Sequence, residues 1–283
     1  FNFTSKIRSS PLAIGELGGF LILTSSLFVS GQKRYWIFVL QILAFVCGII
    51  LSIFSGSRGQ FFFSVILVIA FFPLSRPIKN IFQFFLLSFG SIALLLVIAL
   101  IGSLFLGDVD IANRWLNTDK SDQAIGARLA NFIELFSAFI RSPSSWVLGL
   151  GHNAFTSATG SQEPYSHIMF LDVLVEMGLI AFIILITWLF NILARAIELV
   201  RDTSTDSNLR SASIVLVALC AYQLLLMNKQ GELWSSQNTI VYFLLLAKVS
   251  IVTHNEMLND IPFQEPESVT DKPTSPVQPG YRV

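Results

Sequence analysis

The sequence predicts an all-α fold: a polytopic membrane helix bundle of about seven spans, with one large extracytoplasmic loop that contains an amphipathic helix. Three observations predict it. The chain of 283 residues is 53% apolar and only 13% charged, with a mean hydropathy of +0.68, whereas soluble domains carry about 25% charged residues. Phenylalanine alone contributes 26 residues, more than a water-facing surface of this size can hide. The apolar residues also fall in runs close to the roughly 20 residues that a bilayer-crossing helix needs. This composition excludes a soluble enzyme and a disulfide scaffold. Eighteen Lys and Arg balance eighteen Asp and Glu, so no net charge draws the chain to nucleic acid. Cys47 and Cys220 both sit inside apolar runs and read as small hydrophobes.

The predicted spans are Pro11–Ser30, Tyr35–Phe54, Gln60–Leu74, Ile81–Leu106, Ile168–Leu193, Ser211–Met227 and Asn238–Val252. The third and seventh are short enough to be re-entrant pieces instead of full crossings. Residue 1 is Phe and no secretory signal precedes the first span, so the expectation is a C-terminal part of a longer polytopic chain. Loops 31–34, 75–80 and 194–210 hold seven Lys or Arg in 27 residues, while 55–59, 107–166 and 228–236 hold six in 74. The dense set is predicted to be cytoplasmic, which puts loop 107–166 outside. A membrane domain over 1–252 is followed by a tail, 253–283, which holds five of the ten prolines and no apolar period. That tail reads as disordered and cytoplasmic.

Sixty residues between two spans is too long for a mere connector. From Ile125, apolar side chains recur at Leu129, Phe132, Ile133, Phe136, Phe139 and Ile140, the spacing of an amphipathic helix. Arg128 falls inside that apolar arc, where a charge must snorkel to headgroups or find an anionic partner. Pro143 ends the helix, Gly149-Leu150-Gly151 reads as a flexible turn, and Pro164-Tyr165-Ser166 leads into span five.

Several polar residues call for a reason. Arg58 sits in Ser55-Gly56-Ser57-Arg58-Gly59 at the outer mouth between spans two and three. It is either a snorkelling loop arginine or an anion clamp, since a guanidinium keeps its charge and its planar fork matches phosphate. His167 opens span five with Ser166 as the expected N-cap. The helix dipole there favours a neutral imidazole, which suits a general base or an ordinary interfacial residue. His152, in Gly151-His152-Asn153, is the rival base. Asp172 and Glu176 share one face of span five, where the dipole alone explains them as well as a site does. Glu16, in the Gly-rich first span, is a weaker case of the same kind. Arg114 and Trp115 are candidates for the membrane face of the loop. Asp108 and Asp110 form a DxD-like pair just outside a span, which reads more readily as a solvated edge than as a cation site. No metal-ligand spacing, GxxxxGK[ST] loop or GxSxG motif is present in the sequence.

The ordered set resembles the O-antigen ligase / O-antigen polymerase superfamily. It comprises an SRG turn, a long exterior loop with an arginine on its helix, a Pro then Gly-x-Gly stretch, and Tyr165-Ser166-His167-Ile168-Met169-Phe170-Leu171 running on to Glu176-Met177-Gly178-Leu179. The resemblance covers about Gly56 to Ile183. It implies a GT-C-type membrane glycosyltransferase that moves a glycan from an undecaprenyl-pyrophosphate carrier to an acceptor, with inversion and without metal or cofactor. Multi-pass placement in the bacterial inner membrane, with a periplasmic active face, belongs to the same implication. Carried over by position, Arg58 and Arg128 engage the pyrophosphate and His167 activates the acceptor hydroxyl. Ile168 stands where the family's histidine is usually followed by Asn, while His152-Asn153 keeps the pair elsewhere in the loop. Arg114, Asp172, Glu176 and His152 are the candidate substrate-binding residues. The acceptor is a lipid A core sugar for a ligase, the growing glycan for a polymerase, or a protein hydroxyl for an oligosaccharyltransferase. A membrane transporter, built on Glu16, Asp172 and Glu176, is the reading from a different class.

Overall fold

The computed structural model describes residues 11–29, 35–75, 118–160, 166, 168–203, 207–230 and 237–259. These residues form helices, turns and short connections, with no strand among them. The elements in chain order are α1 (Pro11–Leu27), α2 (Tyr35–Phe54), α3 (Arg58–Ser75), α4 (Thr118–Arg141), α5 (Ser145–Leu148), α6 (Ala154–Thr159), α7 (Met169–Asp202), α8 (Ser207–Gln230) and α9 (Gln237–Asn259). By length and composition, four helices can cross a membrane: α2, α3, α7 and the stretch Asn208–Lys229 of α8. α1 is a shorter apolar helix. The predicted span Ile81–Leu106 lies outside the described residues. Spans three and seven, which the sequence leaves short, belong to continuous helices of 18 and 23 residues.

Close packing rests on small residues, as membrane helices require when lipid is as apolar as leucine. α1 meets α2 where a side chain at Gly18 would come within 2.7 Å of the Gly48 carbonyl. α2 leaves Tyr35, Trp36, Phe38 and Leu40 exposed, the outward face expected of a lipid-bathed helix. One core cluster joins α1, α3 and α8 through Leu23, Leu27, Leu67, Ala218, Leu219, Tyr222 and Leu226. A second joins α7, α8 and α9 through Ala196, Leu199, Cys220, Phe243 and Leu246.

The side-chain contacts sort the helix ends into two groups. At one end Ser211 of α8 donates to the Val29 carbonyl after α1 (3.0 Å), and His254 of α9 meets Asp202 of α7 (3.3 Å). At the other, Gln60 of α3 donates to Leu12 of α1 (2.8 Å), and Asn238 of α9 donates to Glu16 of α1 (3.4 Å). At that same end Met169 of α7 packs with Met227 of α8. Helices that alternate direction thus bring the start of α3, the start of α7 and the finish of α8 to a shared rim.

α4 begins at Thr118, two turns before the predicted Ile125, and stops at Arg141 ahead of Pro143, which cannot continue a helix. Its apolar stripe is split. Leu135 and Phe139 are buried against Ala154 and Phe155 of α6 and Leu171 and Val175 of α7, while Leu129, Ile133 and Ile140 remain exposed. The helix therefore buries one edge of its apolar arc against α6 and α7 and leaves the other exposed.

Candidate functional site

Arg58 is the first residue of α3 and half-buried. The turn that delivers it is built from its own small residues. Ser55 donates its hydroxyl to the Ser52 carbonyl (2.8 Å) and accepts the Ser57 N–H (3.2 Å). Gly56 takes a φ of 65°, a left-handed conformation that glycine adopts without a Cβ penalty. The Arg58 N–H then returns to the Gly56 carbonyl (3.2 Å). The backbone of Arg58 is thus fixed at the positive end of a helix.

The next residue carries a contact that sequence reasoning missed. Lys229, in the last turn of α8, lies across Gly59, whose absent Cβ would stand 2.7 Å from Lys229 Cε and overlap the Nζ. No motif connects residues 59 and 229, so only the tertiary fold shows the pairing.

The Gly149-Leu150-Gly151 segment is not a flexible turn. Leu150 donates its N–H to the Val175 carbonyl (2.7 Å) and Gly151 donates to the Glu176 carbonyl (3.1 Å). Those carbonyls are released because α7 breaks at Gly178, whose φ of 81° and ψ of −178° interrupt the helix. A Cβ on Gly149 would lie 2.6 Å from the Met177 N, and one on Gly178 would lie 2.5 Å from the Gly149 N. The two glycine motifs are two halves of one backbone-to-backbone lock.

That lock sets His152 and Glu176 side by side. His152 Nδ1 stands 3.9 Å from Glu176 Oε2, with the imidazole 78% exposed and the carboxylate 19%. The backbone N–H groups of Asn153 and Ala154 also turn to the Glu176 carboxylate, at the start of α6. Asn153 has a φ of 60°, which asparagine tolerates better than most residues.

Asp172, four residues earlier, is buried, and it accepts the Ser166 N–H at 3.2 Å and 3.3 Å through its two oxygens. Ser166 is not the N-cap that its position predicts. α7 starts at Met169 with Ile168 as the cap and no side-chain cap bond, and Ser166 Oγ instead accepts the Ile168 N–H (3.2 Å). The serine forms a local turn because its N–H is drawn back to Asp172, which moves the helix start two residues onward.

His167 and Arg114 lie outside the described residues, as do Asp108 and Asp110. The backbone of Arg128 is helical within α4, two turns before Leu135, and its side chain lies outside the description. Among the described residues no group of three His, Cys, Asp or Glu is arranged to hold a metal ion. Glu16 accepts from Gln223 Nε2 (2.7 Å) and Asn238 Nδ2 (3.4 Å), so this carboxylate ties α1 to α8 and α9.

No curated protein matches the chain. A family model described as O-antigen ligase matches residues 43–186, and that stretch runs from α2 across the SRG turn, α4 and the glycine lock into α7. It therefore contains every candidate from Arg58 to Glu176, on a framework of apolar helices able to cross a membrane. The match spans just over half of the 283 residues, and the chain belongs to the O-antigen ligase family.

Proposed function

We propose that the chain is a glycosyltransferase of the bacterial inner membrane that transfers a glycan from an undecaprenyl-pyrophosphate-linked donor to an acceptor hydroxyl at the extracytoplasmic face. The acceptor oxygen attacks the anomeric carbon as its bond to the pyrophosphate oxygen breaks. The configuration inverts, and undecaprenyl pyrophosphate departs. Arg58 and Arg128 stabilise the charge that develops on the leaving group, and His167 takes the hydroxyl proton. Arg114, Asp172, Glu176 and His152 complete the substrate surroundings. Because the donor is already activated, the reaction needs neither cofactor nor metal.

The observation that carries this reading is the shared rim. The Arg58 turn reaches the last turn of α8 through Gly59 and Lys229, and Met169, two residues after His167, reaches that part of α8 through Met227. A lipid-linked substrate needs such a mouth, polar at the helix ends and apolar along their flanks. Within the family reading, the acceptor is a lipid A core sugar, the growing glycan or a protein hydroxyl, and ligase is the name that the family match supports.

The test is alanine substitution of Arg58, Arg128 and His167 in cells. Each variant is expected to lose glycan transfer while keeping its membrane abundance. Full transfer in all three would end the assignment. One observation favours a second base: His152 is held beside Glu176, the arrangement in which a carboxylate orients an imidazole.

A further inference from the structure

We propose that Trp146–Leu150, which takes in most of α5 and the glycine turn after it, is an interfacial anchor that lies at the hydrocarbon edge of the bilayer and is covered there by lipid acyl chains. The inference stands on α7 crossing a membrane and not on the transfer reaction, so either can fail without the other.

The depth of the segment follows from α7. This helix has 34 residues, or about 51 Å at the α-helical rise, well beyond the roughly 30 Å of a hydrocarbon core. Its ionisable side chains divide it. Asp172 and Glu176 stand near one end, Arg195 begins the charged stretch at the other, and the 18 residues Met177–Ala194 between them have none. That run is about 27 Å long. Charge is costly inside hydrocarbon, so this run is the part of α7 that lipid surrounds, and Glu176 marks its edge. α5 is held at that edge, because the Val147 carbonyl and the Gly149 N lie against Gly178, two residues past Glu176.

What the segment shows at this level is hydrocarbon. Trp146, Val147, Leu148 and Leu150 are all exposed, Leu148 at 76%. On α7 the neighbours of Gly178, Met177 and Leu179, are exposed too, so the apolar surface of the segment continues that of a bilayer-crossing helix. Trp146 spends its polar hydrogen within the protein, donating Nε1–H to the Phe139 carbonyl at the end of α4 (3.2 Å). Its open face is then carbon, and tryptophan is enriched at membrane boundaries. The backbone is equally prepared. Ser145 donates its N–H to Ser142 (2.9 Å), Trp146 to Pro143 (3.3 Å) and Gly149 to Ser145 (2.7 Å), while Leu150 and Gly151 donate to α7. Irregular backbone tolerates lipid only when such donors are satisfied by the protein. The next stretch differs, since His152, Asn153 and Ser157 are exposed and polar, which puts α6 on the water side.

The experiment uses the full chain in vesicles of phosphatidylethanolamine and phosphatidylglycerol. Phospholipids that carry a photoactivated diazirine near the glycerol end of one acyl chain should label residues 146–150 of the wild-type protein several-fold more than α6. A diazirine at the chain tip should instead label the exposed Ile183, Ile184 and Phe190 of α7. In a second measurement, with Cys47→Ala and Cys220→Ala, a nitroxide attached at Leu148→Cys should meet oxygen more than a water-soluble nickel chelate, as one attached at Ile184→Cys does and one at Ser157→Cys does not. Equal access of the chelate to the labels at 148 and 157 would place the segment in water and overturn the proposal. Exclusion of both reagents at 148, with no lipid labelling of the wild type, would mean that protein covers the patch, from this chain or a second copy, and overturns it as well.

Discussion

Gly149 and Gly178 occupy the same point from opposite sides: a Cβ on Gly178 would stand 2.5 Å from the Gly149 N, and a Cβ on Gly149 would overlap the Glu176 carbonyl. Both have positive φ, 80° and 81°, so neither position suits a side chain on backbone grounds either. Gly178→Ala and Gly149→Ala are therefore expected to cost several kcal/mol, roughly 1–3 from a backbone of positive φ and extended ψ that is essentially restricted to glycine and more from the collision. The companion Gly160→Ala gives the cost of a positive φ without a collision, because Gly160 is an ordinary left-handed residue (φ 66°, ψ 9°) with nothing within 4 Å. Thermal midpoints of the three purified variants decide it: equal losses in all would mean that the two segments do not interlock.

His152 and His167 compete for the role of base, and the exposure of His152 counts against it. A histidine 78% exposed at 3.9 Å from a carboxylate forms the kind of surface pair that contributes about 0–1 kcal/mol. His152→Ala is expected to keep transfer within about tenfold, whereas His167→Ala should lose about 100-fold or more, the range of general base catalysis. Initial rates with purified donor check the ranking, and a reversed order would make His152 the base with Glu176 as its orienting partner.

Asp172 holds the Ser166 N–H in a buried setting, one residue before His167. Asp172→Ala leaves that N–H unsatisfied, at about 1–3 kcal/mol, and loosens the entry to α7. Asp172→Asn retains an acceptor oxygen and should recover most of the kcat. A kcat measurement on both variants tests this: equal damage in the two would show that the carboxylate charge matters, not the hydrogen bond to Ser166.

Transfer by the purified enzyme with lipid-linked donor is expected to survive EDTA, because the guanidinium groups assigned to the leaving group do the work that a divalent cation does elsewhere. Loss of activity on chelation, restored by added divalent metal, would instead direct attention to Asp108 and Asp110.

Much of the fold was legible because lipid imposes a one-dimensional rule. A run such as Tyr35–Phe54 can satisfy its backbone in a bilayer only as a helix, and α2 has those bounds. The loop helix was legible for a similar reason, since its apolar period survives without tertiary knowledge, although Thr118 and not Ile125 begins it. What stayed hidden were relations between segments. Leu135 carries the buried edge of α4, yet it was not among the residues that the period selected, because burial depends on where α6 and α7 lie. Gly149-Leu150-Gly151 looked flexible because glycine in sequence signals freedom, whereas a neighbouring backbone at van der Waals distance turns the missing Cβ into a constraint.

Composition and hydropathy runs by themselves determined a helical membrane protein, and the ordered motifs carried the resemblance to the O-antigen ligase family, since each is a local property read along the chain. The tertiary structure alone decided that Lys229 lies on Gly59, that the two glycine motifs lock together, and that Ser166 serves Asp172 instead of capping α7. These are contacts between groups far apart in the chain or in competition for one hydrogen bond, and their outcome depends on which neighbour arrives first in space, a quantity that residue order does not encode locally.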